Sequence, residues 1–345
     1  MSALAIEDAG PGVTVQDGGR KGYLRFGITA AGPMDPLLYA TANRALGNAL
    51  DATAIEISTG GLTVSAPEGP LGLALVSAGF RAMLDGQTLP QACAFTLAPS
   101  QTLTVRAGSI GAWGYLAIAG TIDLPPVLGS TATHTRSALG GLDGRGLRAG
   151  DRLAVSAPRS GDGAPQRLLA PWLERDPATI RVVLGPQDDF FAPDQITAFL
   201  ERPWTVSPRG DRMACFVDGI PLTHAKGHDI VSDGVAMGAI QVPGNGLPIV
   251  LMADRQSTGG YPKIATVIGP DLGRLAQVQG GAMIRFAAVT VGEAVAARKA
   301  EADALKPDVA REPVLRTEFP AEFLLGLNLV SGVTDGRESF AKVQP

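Results

Sequence analysis

Cysteine is scarce in this 345-residue chain: Cys93 and Cys215 stand far apart. Neither a disulfide framework nor a Cys-x-x-Cys metal site is expected, and a reducing cytoplasm fits best. Aromatic residues make up only 5% of the chain, which argues against a base-stacking surface for nucleic acid. No block of Lys and Arg occurs and the formal net charge is −4, so neither a phosphate backbone nor an anionic membrane is the natural partner. The longest apolar stretches, around Leu71 to Ala78 and Trp113 to Ile122, are too short or too Gly-rich to span a bilayer. The N-terminal run Met1 to Asp8 lacks the basic start of a secretory signal. His224 and His228 are four apart, but Ala225 follows the first where a zinc-protease helix needs Glu, and no metal site is expected. A Walker phosphate loop, a Gly-x-Ser-x-Gly elbow and a Ser/Ser/Lys amidase motif are all missing. Any nucleotide used is therefore not expected to be held by a Walker loop of this chain.

Glycine and proline, by contrast, are abundant, with 44 and 26 copies. They punctuate short Val/Ile/Leu/Thr runs such as Leu62 to Val64, Leu71 to Ser77, Thr102 to Arg106, Tyr115 to Ala119 and Arg152 to Val155, a spacing that predicts a mainly β architecture. Helices are few. Asp35-Pro36 forms an N-cap and N1 pair, and Gly47 stops a helix running through Leu38, Ala42 and Ala45. A second helix is predicted near Asp189 to Leu200, and a third, charged and Ala-rich, over Gly292 to Leu305. The polar, Pro/Gly-rich segment Pro158 to Pro177 separates two strand-rich halves. The expected organisation is a domain over 1–160, a linker over 161–178, a second domain over 179–290 and a helix with a docking tail over 291–345. Within that tail, about Lys306 to Pro313 is a second linker. The following stretch, Val314 to Val333, carries Phe319, Phe323, Leu324, Leu325, Leu327, Leu329 and Val330 and is too apolar to stay free.

The densest chemistry lies in Ala253-Asp254-Arg255-Gln256-Ser257-Thr258-Gly259-Gly260-Tyr261-Pro262-Lys263, directly after the apolar run Leu247 to Met252. Polar groups are costly to bury without partners, so such a set is expected at a strand's end, facing a cleft. Gly12 to Tyr23 is a strand breaking into a Gly-rich turn that displays Gln16, Asp17 and Arg20, either as a plain hairpin turn or as a ligand loop. Gly27 to Asp35 then feeds a helix N-terminus, a place suited to anions. Ser207 to Met213 presents Arg209 and Arg212 in a turn, to grip a carboxylate bidentately or to form a solvated ion-pair cluster.

Together, Gly12 to Arg20, Gly32-Pro33-Met34-Asp35-Pro36, Leu128-Gly129-Ser130, Gly238 to Pro243 and Pro248 to Lys263 resemble the family of 5-oxoprolinase C-type subunits, also described as biotin-dependent carboxyltransferase or allophanate hydrolase subunit 2. The resemblance spans roughly residues 6 to 290. It implies two cyclophilin-like β-barrel subdomains, a B-type partner of similar fold style, and cytoplasmic work on a compact amide. With A-type and B-type partners, such a chain would open 5-oxoproline to glutamate at the expense of ATP. The alternatives are carboxyl transfer from biotin carried on another protein to urea or a related amide, and a non-catalytic hold on the B-type partner. The catalytic set implied is Asp254, Arg255, Gln256, Thr258, Tyr261 and Lys263. Gln16, Asp17, Arg20, Met34, Asp35, Arg209, Arg212, Gln241, Gly259 and Gly260 are assigned to substrate binding. The chain departs from the family pattern at Asp211 and at Ala214-Cys215, where a Gly-Tyr pair is usual, so the resemblance does not fix the substrate.

Overall fold

The computed structural model describes residues 2–161, 164–176 and 178–314. The first half, joined by two strands from beyond residue 165, builds two seven-stranded sheets from short antiparallel strands. One sheet runs in the order Thr121–Ile122, Arg152–Ser156, Ser2–Ala9, Leu62–Ser65, Thr102–Arg106, Arg81–Leu84 and Gln87–Leu89. Several of its strands alternate buried and exposed side chains, as in Arg81–Leu84 and Arg152–Ser156, because one face meets water. The other runs Thr14–Gln16, Ala54–Ile57, Gly114–Ile118, Leu71–Ser77, Ala92–Leu97, Gln166–Leu169 and Ala310–Pro313. Here Leu71–Ser77 and Gly114–Ile118 are buried on both faces. Their inner side chains, Leu73, Leu75 and Leu116, pack with Ile6, Val64 and Val105, while Ala74, Val76, Tyr115 and Ala117 pack under helix α1, Pro36–Ala45. The Asp35 carboxylate caps α1 by accepting from the Leu38 amide at 3.3 Å, and Gly47 follows the helix with φ +66°.

The second half is a closed seven-stranded barrel: Thr179–Leu184, Lys263–Val267, Ala239–Gln241, Ile249–Leu251, Ala214–Asp218, Trp204–Val206 and Met283–Ala288. It closes by a parallel pairing of Thr179–Leu184 with Met283–Ala288. Helix α2, Pro193–Glu201, inserts Phe199, whose ring stacks 4.7 Å from that of Phe286. Helix α3, Gly269–Ala276, follows the strand Lys263–Val267. Helix α4, Val291–Ala304, starts in a Thr290–Glu293 capping box. No helix in the described residues is long and apolar enough to cross a membrane.

Three features differ from the expectation. Helix α3 has no counterpart in the sequence reading, because a Gly-Pro start and an internal Gly273 are poor helix signals. That glycine is required: a Cβ at Gly273 would lie 2.4 Å from Asp35 Oδ1, so its absence lets α3 approach the start of α1. The other two concern the stretches expected to be linkers. Gln166–Leu169 and Ala310–Pro313 are strands paired antiparallel with each other, and Gln166–Leu169 joins them to Ala92–Leu97. Pro313 is tolerated because its strand is at the sheet edge. The apolar tail beyond Val314, from Phe319 to Val330, lies outside the described residues.

Candidate functional site

The run 253–263 folds as a strand-end loop. It leaves Ile249–Leu251, makes a two-residue ladder in which Thr258–Gly259 pairs with Asp233–Gly234, and re-enters the barrel as Lys263–Val267. Its first polar group is turned toward the first domain. The Asp254 carboxylate is gripped bidentately by Arg212, Nε to Oδ2 at 2.9 Å and Nη2 to Oδ1 at 2.8 Å. Arg212 Nη1 donates to Glu56 Oε1, and Nη2 also donates to the Gly32 carbonyl at 2.8 Å. Glu56, in strand Ala54–Ile57, accepts in addition from the Met34 amide at 2.8 Å and the Tyr115 hydroxyl at 2.7 Å. The resulting Glu56–Arg212–Asp254 bridge is buried and ties the two domains.

Burial pushes the Glu56 carboxyl above its ordinary value against the pull of Arg212. Burial alone would lower Arg212, but Glu56 and Asp254 raise it. Three donors converge on Glu56, and these favour the charged pair. The bidentate grip expected of Arg212 is therefore present, with the protein's own Asp254 as the carboxylate. Arg209 is outside it, 3.5 Å from Asp218 on the surface and over the Phe216 ring. Glu56 was missed by the sequence reading; its one signal was a charge set between two isoleucines in a strand. A cleft of about 760 Å³ opens between the domains, and Arg212, Asp254, Met34, Trp113, Met213 and Met252 help to line it.

The rest of the run is differently provisioned. Arg255 is half-buried, donates from Nε to the Val235 carbonyl at 3.0 Å and has no carboxylate at ion-pair distance among the described residues; burial lowers its pKa. The Lys263 side chain is buried, with Nζ 3.3 Å from Asp233 Oδ2. Gln241 is the cross-strand neighbour of Lys263, and its buried Nε2 has no partner. A Cβ on Gly259 would lie 2.3 Å from that nitrogen, so a side chain here would push the Gln241 amide from its place. The Gly260 carbonyl accepts from Ile230 at 2.8 Å, while Gln256, Thr258 and Tyr261 are exposed.

On the first domain, the displayed polar trio is engaged with backbone groups and hydroxyls of that domain itself. Gln16 bonds Thr14, the Thr133 carbonyl and the Gly32 amide. Asp17 accepts from Gly19, Ser130 and Thr131. Arg20 donates to the carbonyls of Val127, Ser130 and Ala132, leaving Nη1 without a partner. The strand from Gly12 does not form the plain hairpin; Thr14–Gln16 pairs with Ala54–Ile57 instead. Asp35 is taken up by Arg175, Gln277 and its own helix. The loop after Arg20 reaches the barrel motif at Gly27, where an added Cβ would sit 3.9 Å from Ser257 Oγ. Among the described residues no group of three or more His, Cys, Asp or Glu could hold a metal ion.

The model for the carboxyltransferase domain, subdomains A and B, matches residues 26–288. The chain belongs to this carboxyltransferase-domain family. Within the family, it is 39% identical to the C-type subunit of 5-oxoprolinase from Escherichia coli (strain K12), over 86% of this chain and 94% of that protein. It is 37% identical to the Haemophilus influenzae protein of the same name, also over 94% of that protein. Urea amidolyase of Saccharomyces cerevisiae is 30% identical over 83% of this chain but only 16% of its own length. Among solved structures, Kluyveromyces lactis urea amidolyase superposes with a TM-score of 0.81 at 26% identity, covering 88% of this chain. TTHA0988 gives 0.73 at 34% identity and 83% coverage. The chain spans 55% of the TTHA0988 chain and 20% of the amidolyase chain.

Proposed function

We infer that the chain works as the C-type member of an ATP-dependent 5-oxoprolinase-type enzyme in the cytoplasm, opening 5-oxoproline or a related lactam together with A-type and B-type partners. The observation that carries this reading is the surplus of donors in and beside the 253–263 run: Arg255 without a carboxylate among the described residues, Lys263 with a single exposed one, and Gln241 Nε2 without a partner. The buried carboxylate of the motif, Asp254, is already taken up by Arg212. Such a surplus suits a substrate that is anionic or becomes so. An unstrained amide carbonyl is a poor electrophile. Transfer of the ATP γ-phosphoryl to its oxygen releases ADP, one water then adds to the activated carbon as the ring nitrogen leaves, and a second water hydrolyses the resulting acyl phosphate. Lactam, ATP and two waters thus give glutamate, ADP and phosphate. Arg255 neutralises charge developing on the reacting oxygen, and Lys263 neutralises the charge the substrate already carries. Gln256 and Thr258 orient the amide, and Tyr261 sits at the rim. Asp254 is held from behind by Arg212 rather than aimed at substrate.

The test is steady-state ATP hydrolysis by the chain co-purified with its B-type partner and supplied with the A-type one, with 5-oxoproline, urea or nothing added. Stimulation by 5-oxoproline that Arg255→Ala abolishes in an intact complex supports the reading; an intact complex with no stimulation sinks it. A second reading, carboxyl transfer from carboxybiotin to an amide, draws on the carboxyltransferase family model and the likeness to urea amidolyase. Full activity in the presence of avidin would exclude it. A purely binding role toward the B-type partner fails if Arg255→Ala removes turnover while the complex persists.

A further inference from the structure

We propose that Asp233 is a stand-in for a ligand carboxylate: at rest it neutralises Lys263, and a compact monocarboxylate displaces it to bind Lys263 Nζ and Gln241 Nε2 together. This deepens the lactam reading and rests on it for the identity of the ligand.

The ion pair is lopsided. Lys263 has only 3% of its side chain exposed, whereas Asp233 has 59%. An ammonium carries three donors, and hydrogen bonds of the charge-assisted kind run at roughly 2.7–2.9 Å. Here Nζ is 3.3 Å from Asp233 Oδ2, its one hydrogen bond among the described residues. The lysine is thus committed to the interior with donors to spare, while its counter-charge sits on a two-residue ladder at the surface. Swinging Asp233 into water costs little solvation, but leaving Lys263 buried and unpaired costs much. Exchange of one carboxylate for another is the low-cost way to open this site.

Gln241 supplies the second, independent observation. It lies across the strand pair from Lys263, it is 2% exposed, and its Nε2 has no acceptor. Gly259, the ladder partner of Asp233, packs directly against that nitrogen. Asp233 and the glycine that covers Gln241 are thus partners in one short ladder. Two buried donors short of acceptors, Lys263 Nζ and Gln241 Nε2, suit an anionic oxygen pair. Replacing one monoanion by another conserves the charge around Lys263, whereas a phosphate dianion leaves a surplus negative charge, so the site is assigned to a carboxylate.

Calorimetric titration of the full chain, in complex with its partners, tests this with 5-oxoproline, 2-pyrrolidinone (the same lactam without its carboxylate), acetate and inorganic phosphate as probes. Asp233→Asn is expected to tighten 5-oxoproline about fivefold, equivalent to roughly 1 kcal/mol. Lys263→Met is expected to abolish 5-oxoproline binding, and 2-pyrrolidinone is expected to respond to neither change. Unchanged or weaker 5-oxoproline binding by the surface variant Asp233→Asn overturns the exchange, as does an equal gain for phosphate. If 5-oxoproline fails to bind any form but acetate gains from Asp233→Asn, the exchange stands and the lactam reading falls. If no carboxylate gains, the exchange falls whatever the turnover assay gives.

Discussion

Replacing Arg212 by Met removes the cation from the Glu56–Arg212–Asp254 bridge while keeping most of the side chain's bulk. Glu56 retains the Met34 amide and Tyr115 hydroxyl, whereas Asp254 loses both of its guanidinium bonds. Breaking a buried ion pair from one side costs about 3–5 kcal/mol. At about 2–4 °C per kcal/mol for a domain of some 150–250 residues, the melting temperature should drop by roughly 10 °C. The pH dependence carries a sign that a packing defect would not. Burial already raises Glu56 above its ordinary value of 4.5, and losing Arg212 removes the main opposing pull. A carboxyl raised in the folded state binds more protons there than in the unfolded chain, so its unfavourable effect grows as pH rises above the unfolded value. The deficit of Arg212→Met relative to wild type should thus narrow from pH 7 toward pH 5 in denaturant titrations. In the double variant with Glu56→Gln, the two costs should sum to less than their parts, since the substitutions share one interaction. A deficit below about 1 kcal/mol at pH 7, or one that does not change with acidity, would refute the bridge as a charged interdomain tie.

Gly259→Ala places a methyl 2.3 Å from Gln241 Nε2 and should destabilise the fold by roughly 1–3 kcal/mol and raise KM, read by melting and by turnover. Burial pushes both the Cys93 and Cys215 thiols up to about 12, so iodoacetamide at pH 8 should leave the native protein unmodified and label both cysteines in denaturant, as counted by mass spectrometry. Hydrogen bonds from Arg145 at 2.7 and 2.8 Å hold the Asp151 carboxyl below the usual range; the stability it contributes is present above its unfolded value and is lost as pH falls through the lower folded one. Asp151→Asn should therefore cost about 1–3 kcal/mol at pH 7 and show less loss on acidification than wild type.

Much of the strand content, α1 with both of its caps, and α4 were legible because their signals are local: apolar runs, a Pro at N1, a Gly past the last turn. The 253–263 loop was legible too, as a polar cluster following an apolar strand. What escaped depends on partners distant in sequence. Gln166–Leu169 becomes a strand because Ala310–Pro313 pairs with it, and strand propensity answers to such context more than to composition. Arg212 and Glu56 are 156 positions apart, so nothing near Arg212 announces that its carboxylates are internal. For Gln16, Asp17 and Arg20 the residue types show a wish for polar partners, but only the fold shows that most of those partners lie in residues 127–133.

The paired strands Gln166–Leu169 and Ala310–Pro313 give the chain an architecture of host and insert. Leu169 and Ala310 face each other in register, so the polypeptide departs for the barrel and comes home at neighbouring points, about 5 Å apart as adjacent strands must be. The whole barrel with its three helices is thus a cassette threaded into one β-hairpin. A tight turn from Leu169 to Ala310 would close the host without it, and the cassette's own ends lie near enough to be joined. Both crossings between host and insert thus lie side by side and fall between strands, not within one.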